Sequence, residues 1–558
     1  MKNLPLGMDG FATFGLGRYL RIAAALATFA APVFAQATPP KNQVRTKHAA
    51  ATVAPLKARP DVARFRARVE TALAETQAEK GHWGILVADR DTGATLYELN
   101  ADHLFTPASN AKIFTTAFTL ATLGGDYRFH TTLESKAALG DGGRLAADLI
   151  LAGRGDPDLS NRKFPYAGKP ERDGPAEKIL AELADKAVAK GLKEVDGDIV
   201  ADDSYIPFDP YPAGWSVGDL FFTFGAPVSA IAFNENTIAV EVRPGARVGD
   251  PATIVTAPEA ALDTFAHEIK TGAADAKSDF AVVRQPGMNF LLLRGTIGLG
   301  HTPIKLDLAM TAPAETAAAA LKQLLEARGV HVTGATRVQH APPPETTAAG
   351  EPVFPLDPSR PDPNPLVLAE HVSPPLLESI RLTNKISQNL HAELFLRTAG
   401  REKTGLGSTA AGLKAERDFL RAAGIAEGDV LLSDGSGLSR DDLVTPRAAV
   451  TLLRYAARQP WGRDFVSTLP VAGLDGTLED RMKNTAASGM IEAKTGAVEH
   501  VRAMSGFATT LRGESLVFSI FANNDPQHGP DATVALDAVA TAMVETLGAA
   551  PPAKRKRK

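Results

Sequence analysis

A chain of 558 residues, 44% hydrophobic and 22% charged, has the composition of a globular protein and room for roughly two to four domains. Its formal net charge of −4 gives nothing that points to a nucleic-acid binder. The absence of cysteine excludes a disulfide framework, a cysteine nucleophile and thiolate metal ligands.

Arg18 and Arg21 precede an apolar run from Ile22 to Ala31, and Val33-Phe-Ala35 offers small residues at the two positions a signal peptidase reads. Residues 1–35 therefore read as a secretory leader cleaved after Ala35, placing the mature protein in the periplasm; an uncleaved anchor is the alternative. The run is shorter than the ~18 residues of a spanning helix, and no later stretch reaches that length. Residues 36–60, rich in Ala, Pro, Lys and Thr, read as a flexible linker. Asp61 can cap a helix running to about Lys80. Strands are expected at His82–Asp89 and Thr95–Leu99 around an Asp91-Thr-Gly93 turn, so a hairpin leads into a helix at Ser109. Ile113, Phe114, Ala117, Phe118 and Leu120 give that helix an apolar face.

Strands then fall at 129–133 and 148–152, and Gly153-Arg-Gly-Asp-Pro157 reads as a turn. A helix over 175–190, strands at 199–201, 237–242 and 290–294, a helix over 313–328 and a strand at 336–338 follow. Nine prolines in residues 341–365 mark a boundary. Residues 131–365 thus form an inserted α/β region of one or two domains. Residues 366–399 read as largely helical, and 446–458 as a helix. Strands run through Lys494 and over 503–509 and 515–521. The tail, residues 549–558, ends in Lys-Arg-Lys-Arg-Lys; it reads as disordered, with a charge that suits weak contact with an anionic envelope.

Three short patterns carry chemistry. Ser109 and Lys112 lie three apart at a helix start that Pro107 favours. Residues three apart share a helix face, so the hydroxyl and the amine can meet. A serine needs a base to become nucleophilic. Lysine can be that base only when burial or a nearby cation lowers its pKa from roughly 10.4. Ser160-Asn-Arg-Lys163 repeats the spacing but reads as loop. Ser387 and Asn389 form a Ser-x-Asn element, which can face one cleft only from a turn between helices, since residues two apart do not share a helix face. Lys494-Thr-Gly496 sits on a strand-like run. The same tripeptide occurs at Lys270, read as a helix end, and at Lys403, read as lying beyond a helix C-terminus. Gly496 is expected to let a ligand backbone approach the strand edge.

The order Ser-x-x-Lys, Ser-x-Asn, Lys-Thr-Gly is the signature of penicillin-binding proteins and serine β-lactamases. Gly155-Asp-Pro-Asp158, Ser387-Gln-Asn389, Asp434-Gly-Ser-Gly-Leu-Ser-Arg440, Leu469-Pro-Val-Ala-Gly-Leu-Asp-Gly-Thr477 and Ala493-Lys-Thr-Gly496 resemble the class C, type-4 low-molecular-mass penicillin-binding proteins. These are S13-type D-alanyl-D-alanine carboxypeptidases and endopeptidases. The resemblance covers about residues 62–548, and the placing of Ser387 278 residues after Ser109 distinguishes it from a compact β-lactamase. Gln388 departs from the superfamily's Ser-Asp-Asn at its variable middle position.

The resemblance implies an α+β class, the penicillin-binding/serine β-lactamase-like transpeptidase fold. In it an antiparallel sheet flanked by helices is built from residues 61–130 and 366–548, around the inserted region. It implies Ser109 as nucleophile, Lys112 as base, Ser387 as proton relay and Asn389 as a ligand for the substrate amide. The N–H groups of Ser109 and Ala497 would form an oxyanion hole. Lys494 and Thr495 would hold the terminal carboxylate, with the Lys494 charge lowering the pKa of Lys112. Asp219, Phe224, Arg440 and Val498 match the family's pocket for the diamino-acid side chain of the stem peptide. Peptidoglycan stem peptides are the implied substrates and β-lactams the covalent inhibitors, with no cofactor or metal; no oligomeric state is implied. A β-lactamase, or a non-catalytic penicillin-sensing or peptidoglycan-binding protein on the same fold, are the alternatives.

Overall fold

The computed structural model describes residues 59–75, 78–261, 264–284, 290–343, 365–524 and 531–548. The leader over 1–35, nearly all of the linker, most of the proline-rich boundary and the basic tail lie outside them.

Five antiparallel strands form the sheet that carries the site, in the order Ile491–Val498, Val501–Thr509, Ser515–Asn523, His82–Asp89, Thr95–Leu99. The expected strands of both chain ends therefore join, with Ile85 opposite Ile520. Side chains alternate between faces along a strand. Ile85, Val87, Phe518 and Ile520 pack with Phe65 and Val69 of the helix Pro60–Glu75 and with Leu536, Val539 and Met543 of the helix Asp531–Thr546. Leu86, Ala88, Val517 and Phe521 pack on the other side, with Ile113, Phe114 and Ala117 of the helix Lys112–Leu123 and Leu452 of the helix Pro446–Ala457. With both faces covered, these strands read as near-continuous apolar runs.

The residues between have a core of their own, running from Leu133 to Ala369. Its five-stranded sheet has the order Thr336–Ala341, Ile199–Pro207, Leu149–Ala152, His130–Ser135, Leu366–Val372. The helices Lys178–Ala189 and Pro313–Glu326 pack in that core through Leu180, Leu183, Ala317 and Leu321. Three three-stranded sheets complete the region among the described residues.

Several expectations change. Residues 366–372 are a strand, not the start of a helix, because their Leu and Val side chains suit the edge beside His130–Ser135 and Pro374-Pro375 delays the helix to Leu376. Lys270 lies on the strand Thr264–Gly272 rather than at a helix end, paired in parallel with Phe290–Gly298. Lys403 lies inside the last turn of the helix Asn389–Thr404, not beyond it, because Gly405 in the left-handed conformation is what stops that helix. The first helix ends at Glu75, and a separate 3-10 turn covers Ala78–Lys80.

Candidate active site

Ser109 sits in the 3-10 turn Ala108–Ala111, and the α-helix begins only at Lys112. Side chains three apart eclipse in a 3-10 turn, more closely than in an α-helix. Lys112 Nζ accordingly lies 2.9 Å from Ser109 Oγ. The amine is fully buried, and its two other neighbours are Asn389 Oδ1 at 2.6 Å and the Ser436 carbonyl oxygen at 2.6 Å. Both can only accept. A neutral amine has two N–H bonds and one lone pair, so these acceptors take both hydrogens and leave the lone pair to the Ser109 hydroxyl.

Burial pulls the Lys112 pKa down to about 7, against the charges of Asp434, Glu393 and Asp442, which raise it. The expected lowering by the Lys494 charge is therefore not the cause. The coupling is felt at Lys494, whose amine is pushed well below its usual value by burial and then by Lys112.

The serine turn is clamped on two sides. Ala108 has a φ of 48°, a strained value for a residue with a Cβ. A Cβ on Gly496 would fall 2.5 Å from the Pro107 carbonyl oxygen, and Asn110 Nδ2 donates to the Lys494 carbonyl oxygen at 3.1 Å. Gly496 thus admits the serine turn itself, where a ligand backbone was expected. Opposite, Gly437 has a φ of 79°, and a Cβ there would fall 1.9 Å from the Ala108 carbonyl oxygen.

Ser387 and Asn389 straddle a helix break, as their spacing requires. Ser387 ends the helix Leu376–Ile386 with a φ of 64°, and Asn389 starts the next helix. The Gln388 side chain caps that helix by accepting from Leu390 N at 2.9 Å, so glutamine at the variable position serves the turn. Lys494 Nζ donates to Ser387 Oγ at 2.9 Å, and Thr495 Oγ1 donates to Thr477 Oγ1 at 2.7 Å. Asn389 Nδ2 donates to the Phe224 carbonyl oxygen at 2.8 Å. Its amide orientation follows, since the flipped form would set a donor against Lys112 and an acceptor against a carbonyl.

Ser109, Ser387, Asn389 and Ala497 border a cleft of about 340 Å³ that Asp219, Phe224, Arg440 and Val498 also line. Asp219 Oδ2 lies 3.5 Å from Arg440 Nη2; burial raises the Asp219 carboxyl and Arg440 opposes that. Lys112 and Lys494 lie buried beneath the cleft. Two larger cavities, of about 550 and 500 Å³, are lined mainly by the inserted region and hold none of the three motifs. Lys163, of the second Ser-x-x-Lys, pairs with Glu171 at 2.8 Å, and Lys270 and Lys403 are exposed. Among the described residues, no group of three or more His, Asp or Glu is placed to hold a metal ion.

Residues 65–543 match the D-Ala-D-Ala carboxypeptidase 3 (S13) family. The chain belongs to that family. It is 32% identical over 495 residues to a D-alanyl-D-alanine carboxypeptidase of Actinomadura sp. (strain R39), covering 87% of this chain and 85% of the relative. It is 26% identical over 460 residues to a D-alanyl-D-alanine carboxypeptidase of Haemophilus influenzae, covering 81% of this chain and 87% of the relative. The crystal structure of penicillin-binding protein 4 from Haemophilus influenzae has the same fold, with a TM-score of 0.70 at 24% identity over 85% of this chain and 97% of that one. A second structure of that protein holds a β-lactam. The α+β fold expected from the sequence is thus the fold of an S13 peptidase.

Four features of this S13 site escape a reading of motifs. The Ser436 carbonyl that orients Lys112 is backbone, so its own side chain gives no signal. The same holds for the Phe224 carbonyl on Asn389. Glu499 adds a carboxylate to the cleft rim directly after Val498, with no pattern around it. Lys385, buried between Asp475 at 2.6 Å and the Leu469 carbonyl oxygen at 2.7 Å, ties the helix before Ser387 to the Leu469–Thr477 stretch. Only that stretch's likeness to the family pointed to it.

Proposed function

We propose that this S13 protein is a serine-type D-alanyl-D-alanine carboxypeptidase that cleaves peptidoglycan stem peptides through an acyl-enzyme on Ser109, with endopeptidase cleavage of cross-links as the same chemistry on a larger leaving group. The observation that carries this reading is the Lys112 amine, buried at the cleft floor with both N–H bonds engaged and its lone pair toward Ser109. Ser109 Oγ attacks the carbonyl between the two terminal D-alanines as Lys112 takes its proton. The N–H groups of Ser109 and Ala497 receive the oxyanion, a contribution typically worth roughly 10²–10³ in rate for one donor. The C–N bond breaks as Ser387, bonded to Lys494, gives its hydroxyl proton to the departing amine and is reprotonated by the proton that Lys112 took from Ser109, which leaves Lys112 neutral again. Asn389 keeps one Nδ2 hydrogen for the substrate amide, since the other is on Phe224. The substrate carboxylate, held by Lys494 and Thr495, restores positive charge to Lys494. Water then releases the shortened peptide. A β-lactam follows the same first step, but its leaving amine stays tethered, so the acyl-enzyme persists.

Mass analysis of stem pentapeptide and cross-linked muropeptide digests tests the reading directly: release of D-alanine is expected from the first, and separation of the cross-linked peptides from the second. Turnover of β-lactams as fast as of peptide would make the protein a β-lactamase instead. The pH dependence tests the base. Lys112 acts only when neutral, so penicillin acylation should rise with pH through about 7 and level off above it. A rate independent of pH from about 5 to 9 would rule out Lys112 as a titrating base.

In the same cleft, Asp219 would take the ammonium and Arg440 the carboxylate of a diaminopimelate side chain, with Phe224 and Val498 against its methylenes. Asp219→Ala should lower kcat/KM for diaminopimelate peptides about tenfold more than it lowers acylation by a penicillin lacking that side chain. Equal losses on both would place Asp219 in support of the catalytic centre instead. The leader at residues 1–35 supports a periplasmic location, and the mature N-terminus, expected after Ala35, checks it. Among the described residues no helix is long and apolar enough to cross a membrane.

A further inference from the structure

Residues 213–224, which carry Asp219 and Phe224, contain no buried residue. Behind them lies the cavity of about 500 Å³, with Val217, Leu220 and Phe221 on one wall and Phe208, Val228 and Ala314 on the other. Trp215 rests against the buried cluster of Ile206, Val228 and Leu390, but no residue of the wall is itself buried, so polar contacts share in setting its position. A β-bridge joins Phe222 to Leu308 on the inserted side. On the catalytic side, Arg440 N donates to the Gly214 carbonyl oxygen at 3.0 Å, and Trp215 Nε1 donates to Asp434 Oδ2 at 2.8 Å. Gly214 has a φ of 78°, and a Cβ there would fall 2.2 Å from Ser439 Oγ, so the wall and the Asp434–Arg440 loop touch backbone to side chain.

Asp434 is fully buried, and beyond its charge acting on Lys112 it has been given no role. Its Oδ1 accepts from Ser436 N at 3.1 Å and Gly437 N at 2.6 Å. Its Oδ2 accepts from Leu438 N at 3.0 Å and Ser439 N at 2.9 Å, besides Ser436 Oγ at 3.0 Å and Trp215. One carboxylate thus folds the whole loop around itself, as successive N–H groups do around an anion. That loop presents the Ser436 carbonyl to Lys112 at one point and meets Trp215 at another.

We propose that Asp434 is a positioning residue that fixes the catalytic base and the substrate side-chain wall to one another, with the Trp215 indole as the latch from the wall. The inference rests on the proposed peptidase reading, since it assigns the wall to the stem-peptide side chain. Neither residue touches substrate. Asp434 holds the Ser436 carbonyl that takes one Lys112 hydrogen, and Trp215 holds Asp219 and Phe224 at the distance a diamino acid needs. An asparagine at 434 would keep one acceptor oxygen but turn an NH₂ toward Trp215 and the Leu438 and Ser439 N–H groups. A phenylalanine at 215 keeps an aromatic ring against the cluster of Ile206, Val228 and Leu390 but has no N–H for Asp434.

The test uses the whole mature protein and two substrates, a diaminopimelate pentapeptide and a simple penicillin without that side chain. Trp215→Phe should lose at least about fivefold more in kcat/KM on the peptide than on the penicillin, through KM. Asp434→Asn should lose on both, through kcat, and its acid limb should move below that of the wild type, because the Asp434 charge holds the Lys112 pKa up. Equal losses in Trp215→Phe, or no loss, would overturn the latch even where Asp434→Asn fails to fold. An unmoved acid limb in a folded Asp434→Asn would overturn the link to the base. A wild type that acylates and releases D-alanine keeps the function while either result removes this proposal; a wild type that does neither removes both.

Discussion

Ser109→Ala should abolish penicillin labelling and D-alanine release together, a loss of at least about 10⁴-fold. The hydroxyl is the group within 2.9 Å of a buried amine whose own hydrogens are occupied. Serine without such a base is a poor nucleophile, and alanine leaves Lys112 with nothing to deprotonate. The fold should survive, because Ser109 is only half-buried and the turn is set by Gly496 and Gly437 on either side. Ser160→Ala is the control. It lies in the inserted region, and its Lys163 is engaged by Glu171. Label retained in Ser109→Ala, or lost in a folded Ser160→Ala, would assign the nucleophile to the other serine.

Lys494→Ala should lose roughly 10²–10⁴ in kcat/KM on peptide, the range of a general acid–base contribution. Lys270→Ala and Lys403→Ala should stay near the wild type. Lys494 is fully buried, bonds Ser387 at 2.9 Å and lies on the strand that meets the serine turn. The other two lysines are solvent-exposed, on the strand Thr264–Gly272 and in the last turn of the helix Asn389–Thr404. Activity measured on the three purified variants decides between them. A comparable loss in either exposed variant with its fold intact would contradict the assignment.

Much of this was legible before any coordinates. The three-residue spacing of Ser109 and Lys112, the two-residue spacing of Ser387 and Asn389 and the strand around Lys494 each dictate a local geometry, and backbone periodicity alone delivers it. The strands at both chain ends were legible for the same reason: runs such as Leu516–Ala522 are buried on both faces and carry no polar interruption larger than Ser519. Residues 366–372 were not legible, because an edge strand of Leu and Val takes its identity from the neighbour it pairs with. Lys270 was misplaced for a similar reason, since its strand is held by a ladder to Phe290–Gly298, more than twenty residues on.

The sequence by itself determined which chemistry the chain can perform, because nucleophile, base and carboxylate ligand are side-chain types at short spacings. Tertiary structure alone decided which copy of each motif is used and how its proton is poised. The Lys112 pKa depends on burial under the helix Asn389–Thr404 and the Asp434–Arg440 loop, segments hundreds of residues away that no local pattern relates to it. The same is true of the glycine at 496. Its sequence context is a strand, but its function is set by the Pro107 carbonyl, which only the fold brings within 2.5 Å of where a Cβ would be.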